Sequence, residues 1–156
     1  MDLSGSQRIE APRDVVWQAL NDADMLKQCI PGCQELVQSS PTDFKAKVVL
    51  KIGPVKATFA GAVTLSELDA PNSYRITGEG QGGVAGFAKG GSRVWLVEDG
   101  EGTILNYEAQ ANVGGKIAQL GARLIDSTSK KLAAEFFGAL SKVLAPETVP
   151  TEAPVE

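Results

Sequence analysis

Between Gln34 and Val113 apolar and polar residues alternate with the two-residue period of a strand that has one buried and one wet face. Phe44, Ala46, Val48, Leu50 and Ile52 alternate with Lys45, Lys47 and Lys51. Gly53-Pro54 turns the chain, and Val55, Ala57, Phe59, Gly61, Val63 and Leu65 then alternate with Lys56, Thr58, Thr64 and Ser66. Pro71-Asn72 turns it again, into Tyr74, Ile76 and Gly78 against Arg75, Thr77 and Glu79. Arg93–Glu98, a turn at 99–102 and Thr103–Val113 complete the set. Consecutive strands joined by short turns predict an antiparallel meander.

After Val113 the period lengthens. Ile117, Gly121, Leu124, Ile125, Thr128, Leu132, Phe136, Ala139 and Val143 recur every three or four residues, with Gln119, Arg123, Asp126, Lys130 and Ser141 opposite them. This predicts one helix from about Lys116 to Leu144, stopped by Pro146, a rod of about 40 Å at 1.5 Å per residue. Phe137 and Leu144 fall off that stripe, either packing under small helices near Trp17 and Leu20 or forming a partner surface. Ahead of the meander, Leu3–Glu10 reads as a strand. Two short helices follow, one begun at Pro12 and running to Leu20, one at about Ala23–Gln28 and ended by Pro31-Gly32. The predicted class is α+β: a curved antiparallel sheet wrapped around one long C-terminal helix, with two short helices after the first strand.

The inward positions of this sheet are uneven. Ala46, Ala57, Gly61, Gly78, Ala109 and Ala111 stand among Phe59, Ile76, Leu105 and Tyr107. Small residues facing a helix permit close packing or leave a hollow, and a hollow lined with carbon suits an apolar guest. Seven glycines crowd the stretch from Gly78 to Gly91, and Gly78–Gly83 formally matches G-x-G-x-x-G. A dinucleotide site needs a helix after that motif, and a strand follows, so the motif is set aside. The glycines then serve sheet curvature, a flap with Val84 and Phe87 at its tip, or both.

Composition narrows the function. The chain has 156 residues, 43% hydrophobic and 22% charged, ordinary for a globular domain. Residues 1–144 read as that domain and 145–156, with Pro146, Pro150, Pro154 and three glutamates, as a flexible tail. Outside the tail 16 acidic residues face 15 basic ones, which leaves no electrostatic footprint for nucleic acid. No apolar run reaches the length of a membrane span and the first residues lack a secretion signal, so a cytoplasmic protein is expected. No histidine occurs, which removes Ser-His-Asp and Cys-His catalysis. Cys29 and Cys33 alone are too few for an ordinary zinc site and read as a reduced, semi-buried pair.

Three stretches carry a resemblance: 11–22 with 30–33 (Ala-Pro-Arg-Asp-Val-Val-Trp-Gln-Ala-Leu-Asn-Asp and Ile-Pro-Gly-Cys), 53–61 (Gly-Pro-Val-Lys-Ala-Thr-Phe-Ala-Gly) and 114–125 (Gly-Gly-Lys-Ile-Ala-Gln-Leu-Gly-Ala-Arg-Leu-Ile). The order of elements resembles the START-like (SRPBCC) helix-grip superfamily, and the second and third stretches resemble the CoxG family of carbon monoxide dehydrogenase subunits. The resemblance implies a non-catalytic accessory protein that links a molybdenum-containing hydroxylase of the carbon monoxide dehydrogenase type to the membrane and its quinone pool. The chain departs from relatives that carry an apolar or basic C-terminal extension: its Pro/Glu tail would be repelled by anionic lipid, so transient rather than permanent membrane contact, peripheral at the inner face, is expected. The expected ligand is an isoprenoid quinone or other lipid held between sheet and helix, without a tightly bound cofactor. Phe59, Val63, Tyr74, Ile76, Phe87, Trp95, Tyr107, Leu124 and Thr128 are the expected lining. Two alternatives stand beside the carrier: a pure adaptor without ligand, and an enzyme of the polyketide-cyclase kind. The enzyme would draw on Tyr74, Tyr107, Glu67 or Glu108, of which the alternation turns both glutamates outward.

Overall fold

The alternation becomes seven strands: β1 (Asp2–Ile9), β2 (Cys33–Ser40), β3 (Asp43–Ile52), β4 (Val55–Asp69), β5 (Ser73–Gln81), β6 (Phe87–Asp99) and β7 (Gly102–Gly114). Three helices accompany them, α1 (Arg13–Leu20), α2 (Ala23–Cys29) and α3 (Ala122–Leu144). The computed structural model describes residues 1–144, so the expected tail at 145–156 lies outside the described residues. Every strand pair is antiparallel, in the order β1-β7-β6-β5-β4-β3-β2. The first strand therefore pairs with the last, and α1 and α2 carry the chain from one edge of the sheet to the other. Asp22 starts α2 by accepting the backbone N–H groups of Asp24 and Met25, two donors that have no partner inside the helix.

Two boundaries differ from the sequence reading. Strand β6 begins at Phe87 rather than Arg93, so most of the glycine stretch is sheet. Gly78 faces Gly90 and Thr77 faces Gly91 across β5 and β6. Glycine is needed at position 90 because a Cβ there would lie 2.1 Å from the Gln110 carbonyl oxygen. What remains of the flap is a 3-10 turn at Gly83–Ala85, closed by the Gly82 N–H donating to the Gly86 carbonyl at 2.7 Å. Val84 sits at its tip, whereas Phe87 lies in the strand opposite Gly114.

The long helix begins at Ala122, not Lys116. Gly121 has φ +99°, a left-handed conformation that ends the preceding 3-10 segment Gly115–Leu120 and sets a new direction. With 23 residues α3 is about 34 Å long. Its inward face passes through Leu140 and Leu144 rather than Val143, which is 41% exposed. Phe137 is also inside, its ring stacked on Tyr107 at 5.2 Å, so of the two readings of Phe137 and Leu144 the packed one holds.

Candidate functional site

Helix α3 is fully packed only near its ends. Its buried residues are Ile125 and Leu140, about 22 Å apart along the axis at 1.5 Å per residue. Leu140 enters a large apolar cluster with Ile9, Val16, Leu20, Phe44 and Leu105. Ile125 enters a smaller one with Ile52, Phe59, Ala85 and Ile117. Between these anchors Thr128, Ser129, Leu132, Ala133 and Phe136 are only half-buried. The sheet positions beneath them are Ala46, Gly61, Gly78, Gly80, Gly90 and Ala111, whose side chains are too short to reach the helix. The helix therefore bridges a trough.

The trough has two lobes. One, of about 390 Å³, lies between Phe59, Gly61, Gly80 and Ala111 of the sheet and Ile125 and Thr128 of α3. The other, of about 430 Å³, lies among Tyr74, Ile76, Leu105, Tyr107, Phe136 and Phe137. Val63 and Leu132 border both. Each volume falls in the range of a small-molecule site, roughly 300–1,000 Å³. The walls are carbon apart from a few hydroxyls: Thr128 and Ser129 in the first lobe, Ser92, Tyr74 and Tyr107 in the second. Glu79 and Lys89 border the first lobe, but their exposed side chains belong to the outward face of β5 and β6.

Six of the nine residues expected from the sequence line the trough. Phe59, Val63 and Thr128 are in the first lobe, and Val63, Tyr74, Ile76 and Tyr107 in the second. Three lie elsewhere. Trp95 sits between the buried Val94 and Leu96, so strand alternation turns it to the outer face, where the Arg93 guanidinium lies 4.8 Å from its ring centre. Phe87 shares the outward parity of Lys89, and its ring lies against Gly114, where a Cβ would come within 2.3 Å of it. Leu124 packs beside the β3–β4 turn, its Cδ2 filling the space next to Gly53. Beyond those nine, the first lobe is lined by Ala46, Gly61, Gly78 and Ala111, which the sequence marks only as small inward positions, and by Gly80; on the helix Ser129, Leu132 and Ala133 join the lining without having been expected there.

Among the described residues the titratable side chains inside the trough are the phenols of Tyr74 and Tyr107; Met1, whose ammonium donates to the Ala111 carbonyl oxygen at 3.0 Å, also lines the first lobe. Tyr74 is buried edge-on against Trp17 at 5.3 Å, and burial pushes its hydroxyl above the usual tyrosine pKa, so it stays protonated. Glu67 is exposed and paired with Arg75 at 3.1 Å, and Glu108 is exposed opposite Arg93. Cys29 is buried and Cys33 half-buried, both are free thiols, and burial raises the pKa of each. Neither cysteine lines a lobe. Among the described residues no three His, Cys, Asp or Glu side chains cluster as metal ligands, and no helix is long and apolar enough to cross a membrane.

Comparison with known proteins fits this architecture to a family. The family model for CoxG, a carbon monoxide dehydrogenase subunit, matches residues 5–145, nearly the whole chain. The chain belongs to the CoxG family. A conserved protein from Geobacillus kaustophilus, known by its crystal structure, is 29% identical to this CoxG-family chain. The match covers 93% of this chain and 95% of that one, with a TM-score of 0.88. A START superfamily protein from Mycobacterium smegmatis is 16% identical, with coverage of 91% and 98% and a TM-score of 0.64. The di-domain ARO/CYC BexL from the BE-7585A biosynthetic pathway is also 16% identical, matched over 94% of this chain and 50% of its own, with a TM-score of 0.67. The last two likenesses are of fold, and with them the helix-grip architecture expected from the sequence is established. No curated protein matches the chain.

Proposed function

We propose that this CoxG-family protein is a non-catalytic carrier of an apolar ligand, an isoprenoid quinone or similar lipid. It would serve a molybdenum hydroxylase of the carbon monoxide dehydrogenase type by exchanging that ligand with the membrane quinone pool. The observation that carries the reading is the bridged helix, which is held to the sheet at Ile125 and Leu140 and spans carbon-lined lobes between them. Removing apolar ligand surface from water at about 25 cal/mol per Å² supplies affinity without many polar contacts. The hydroxyls of Thr128 and Ser129, or of Tyr107, offer donors to quinone carbonyl oxygens. The hydroxylase enters through the family's description as a dehydrogenase subunit.

The two alternatives find less support. A cyclase needs a base in the cavity, and the trough presents phenols, one of them held protonated, while Glu67 and Glu108 face outward. A pure adaptor built on Phe137 loses that surface, because the ring is stacked on Tyr107. The carrier reading is tested by adding an isoprenoid quinone to detergent-free protein and measuring the quinone that co-elutes in gel filtration. One quinone per chain is expected, and no co-elution at saturating quinone would overturn the reading.

A further inference from the structure

We infer that the ligand's polar ring sits in the second lobe, where the Tyr74 hydroxyl donates to a ring carbonyl, and that its hydrocarbon chain passes Leu132 into the first lobe. The inference rests on the carrier reading and narrows its ligand to a neutral lipid with a carbonyl-bearing ring. Three observations carry it.

The first is a buried hydroxyl without a partner. Tyr74 is 4% exposed, burial alone shifts its pKa, and among the described residues its hydroxyl makes no hydrogen bond. Buried polar groups are almost always paired, because an unpaired one forfeits the bond it made to water in the unfolded chain. Nor is this oxygen sealed in the core. Among the described residues the buried side-chain atoms cut off from both a partner and open space are Arg13 Nε and Ser141 Oγ. The open space that Tyr74 borders is the second lobe. Its ring is fixed edge-on to Trp17 at 5.3 Å, which holds the hydroxyl in place for a ligand.

The second observation is the difference between the two lobes. Tyr107 and Phe137 stack with their planes 28° apart, and Phe136 meets Phe137 edge-on, so the second lobe has an aromatic wall. A flat ring gains stacking there beyond the area it buries. The sheet side of the first lobe is instead a smooth floor that includes Gly61, Gly80, Gly90 and Ala111, the shape for a chain. Its Ser129 hydroxyl already has a partner, the Met1 sulfur at 3.5 Å. Val63 and Leu132 border both lobes, so one chain can run from the first into the second.

The third observation is charge. No Asp, Glu, Lys or Arg lines the second lobe. A carboxylate or phosphate placed there would lose its hydration and meet no counter-charge. Fatty acids and phospholipids are thereby disfavoured, and a quinone, with neutral carbonyl oxygens on a flat ring, fits.

The test uses the full chain, a benzoquinone with a short isoprenoid chain, oleate, and diphenylhexatriene, a fluorescent hydrocarbon without oxygen. Tyr74→Phe keeps the ring and its contact with Trp17 and removes only the hydroxyl. Quinone should displace diphenylhexatriene about fivefold to tenfold less effectively from this variant, the worth of one hydrogen bond. The hydrocarbon's own affinity should not fall, since it offers the hydroxyl no acceptor, and the unliganded variant should unfold at or above the wild-type temperature. Trp17 gives a second readout. Trp95→Phe, on the outer face, leaves Trp17 as the one tryptophan, and a quinone ring beside Tyr74 should quench its emission, because quenching by electron transfer needs close approach. Oleate should neither displace the quinone nor quench. Quinone uptake without Trp17 quenching, an undiminished or equally diminished affinity of Tyr74→Phe for quinone and hydrocarbon, or displacement of quinone by oleate would overturn the placement and leave carriage standing. A wild-type chain that takes up no quinone would overturn both.

Discussion

Leu140→Ala is expected to cost about 3–5 kcal/mol, the upper part of the range for a leucine deleted from a closed core. Leu140 has no solvent exposure and stands among Ile9, Val16, Leu20, Phe44 and Leu105, so the lost methyl groups leave a void that its neighbours cannot fill. It is also one of the two buried anchors of α3, so its loss loosens the helix from the sheet. Leu132→Ala, two turns earlier, is expected to cost only about 1 kcal/mol, because Leu132 already borders both lobes and its removal enlarges an existing space. Urea unfolding of the two variants checks the pair. Equal costs would mean that the middle of the helix is packed as tightly as its end and that no trough lies under it.

Filling the trough should separate stability from binding. Gly80 lies on the inward face of β5 in the first lobe, and a Cβ there would meet Phe59 Cβ at 3.8 Å and the Ala60 carbonyl oxygen at 3.9 Å, ordinary contact distances. Gly80→Leu is therefore expected to raise stability by about 1–3 kcal/mol, from removing a strand glycine and burying a leucine. The same change should abolish quinone uptake by occupying the first lobe. Gly90, from the same glycine stretch and in the same lobe, answers oppositely: its Cβ would strike the Gln110 carbonyl at 2.1 Å, so Gly90→Leu should prevent folding. Thermal unfolding together with quinone co-elution reads both variants. A Gly80→Leu protein that is stable and still takes up a full equivalent would place the ligand elsewhere.

The strands with long side chains were legible in the sequence. From Phe44 to Leu65 the alternation of apolar residues with lysine and threonine marks both strands, their facing sides and the turn between them, as β3 and β4 show. The start of β6 was not legible, because Gly90 and Gly91 carry no side chain whose parity marks a strand. The start of α3 was hidden for a related reason: Ile117 and Leu124 continue a helical spacing across Gly121, whose left-handed backbone interrupts the helix. In the site, the larger residues were chosen because they are recognisable, yet a hollow forms where residues are small. Ala46, Gly61, Gly78 and Ala111 were already visible as small inward positions and mark the first lobe better than Phe87 or Leu124. Trp95 was not separable from sequence, because Val94, Trp95, Leu96 and Val97 are apolar on both parities and only the burial of Val94 and Leu96 turns it outward.

Mass spectrometry of a solvent extract of the protein, purified from its own host without detergent, tests carriage most directly. A single isoprenoid quinone or lipid in near-stoichiometric amount, absent from an extract of the Gly80→Leu protein prepared alongside, is the predicted result. A wild-type extract free of any such molecule, from protein that also fails to take up added quinone, would contradict it.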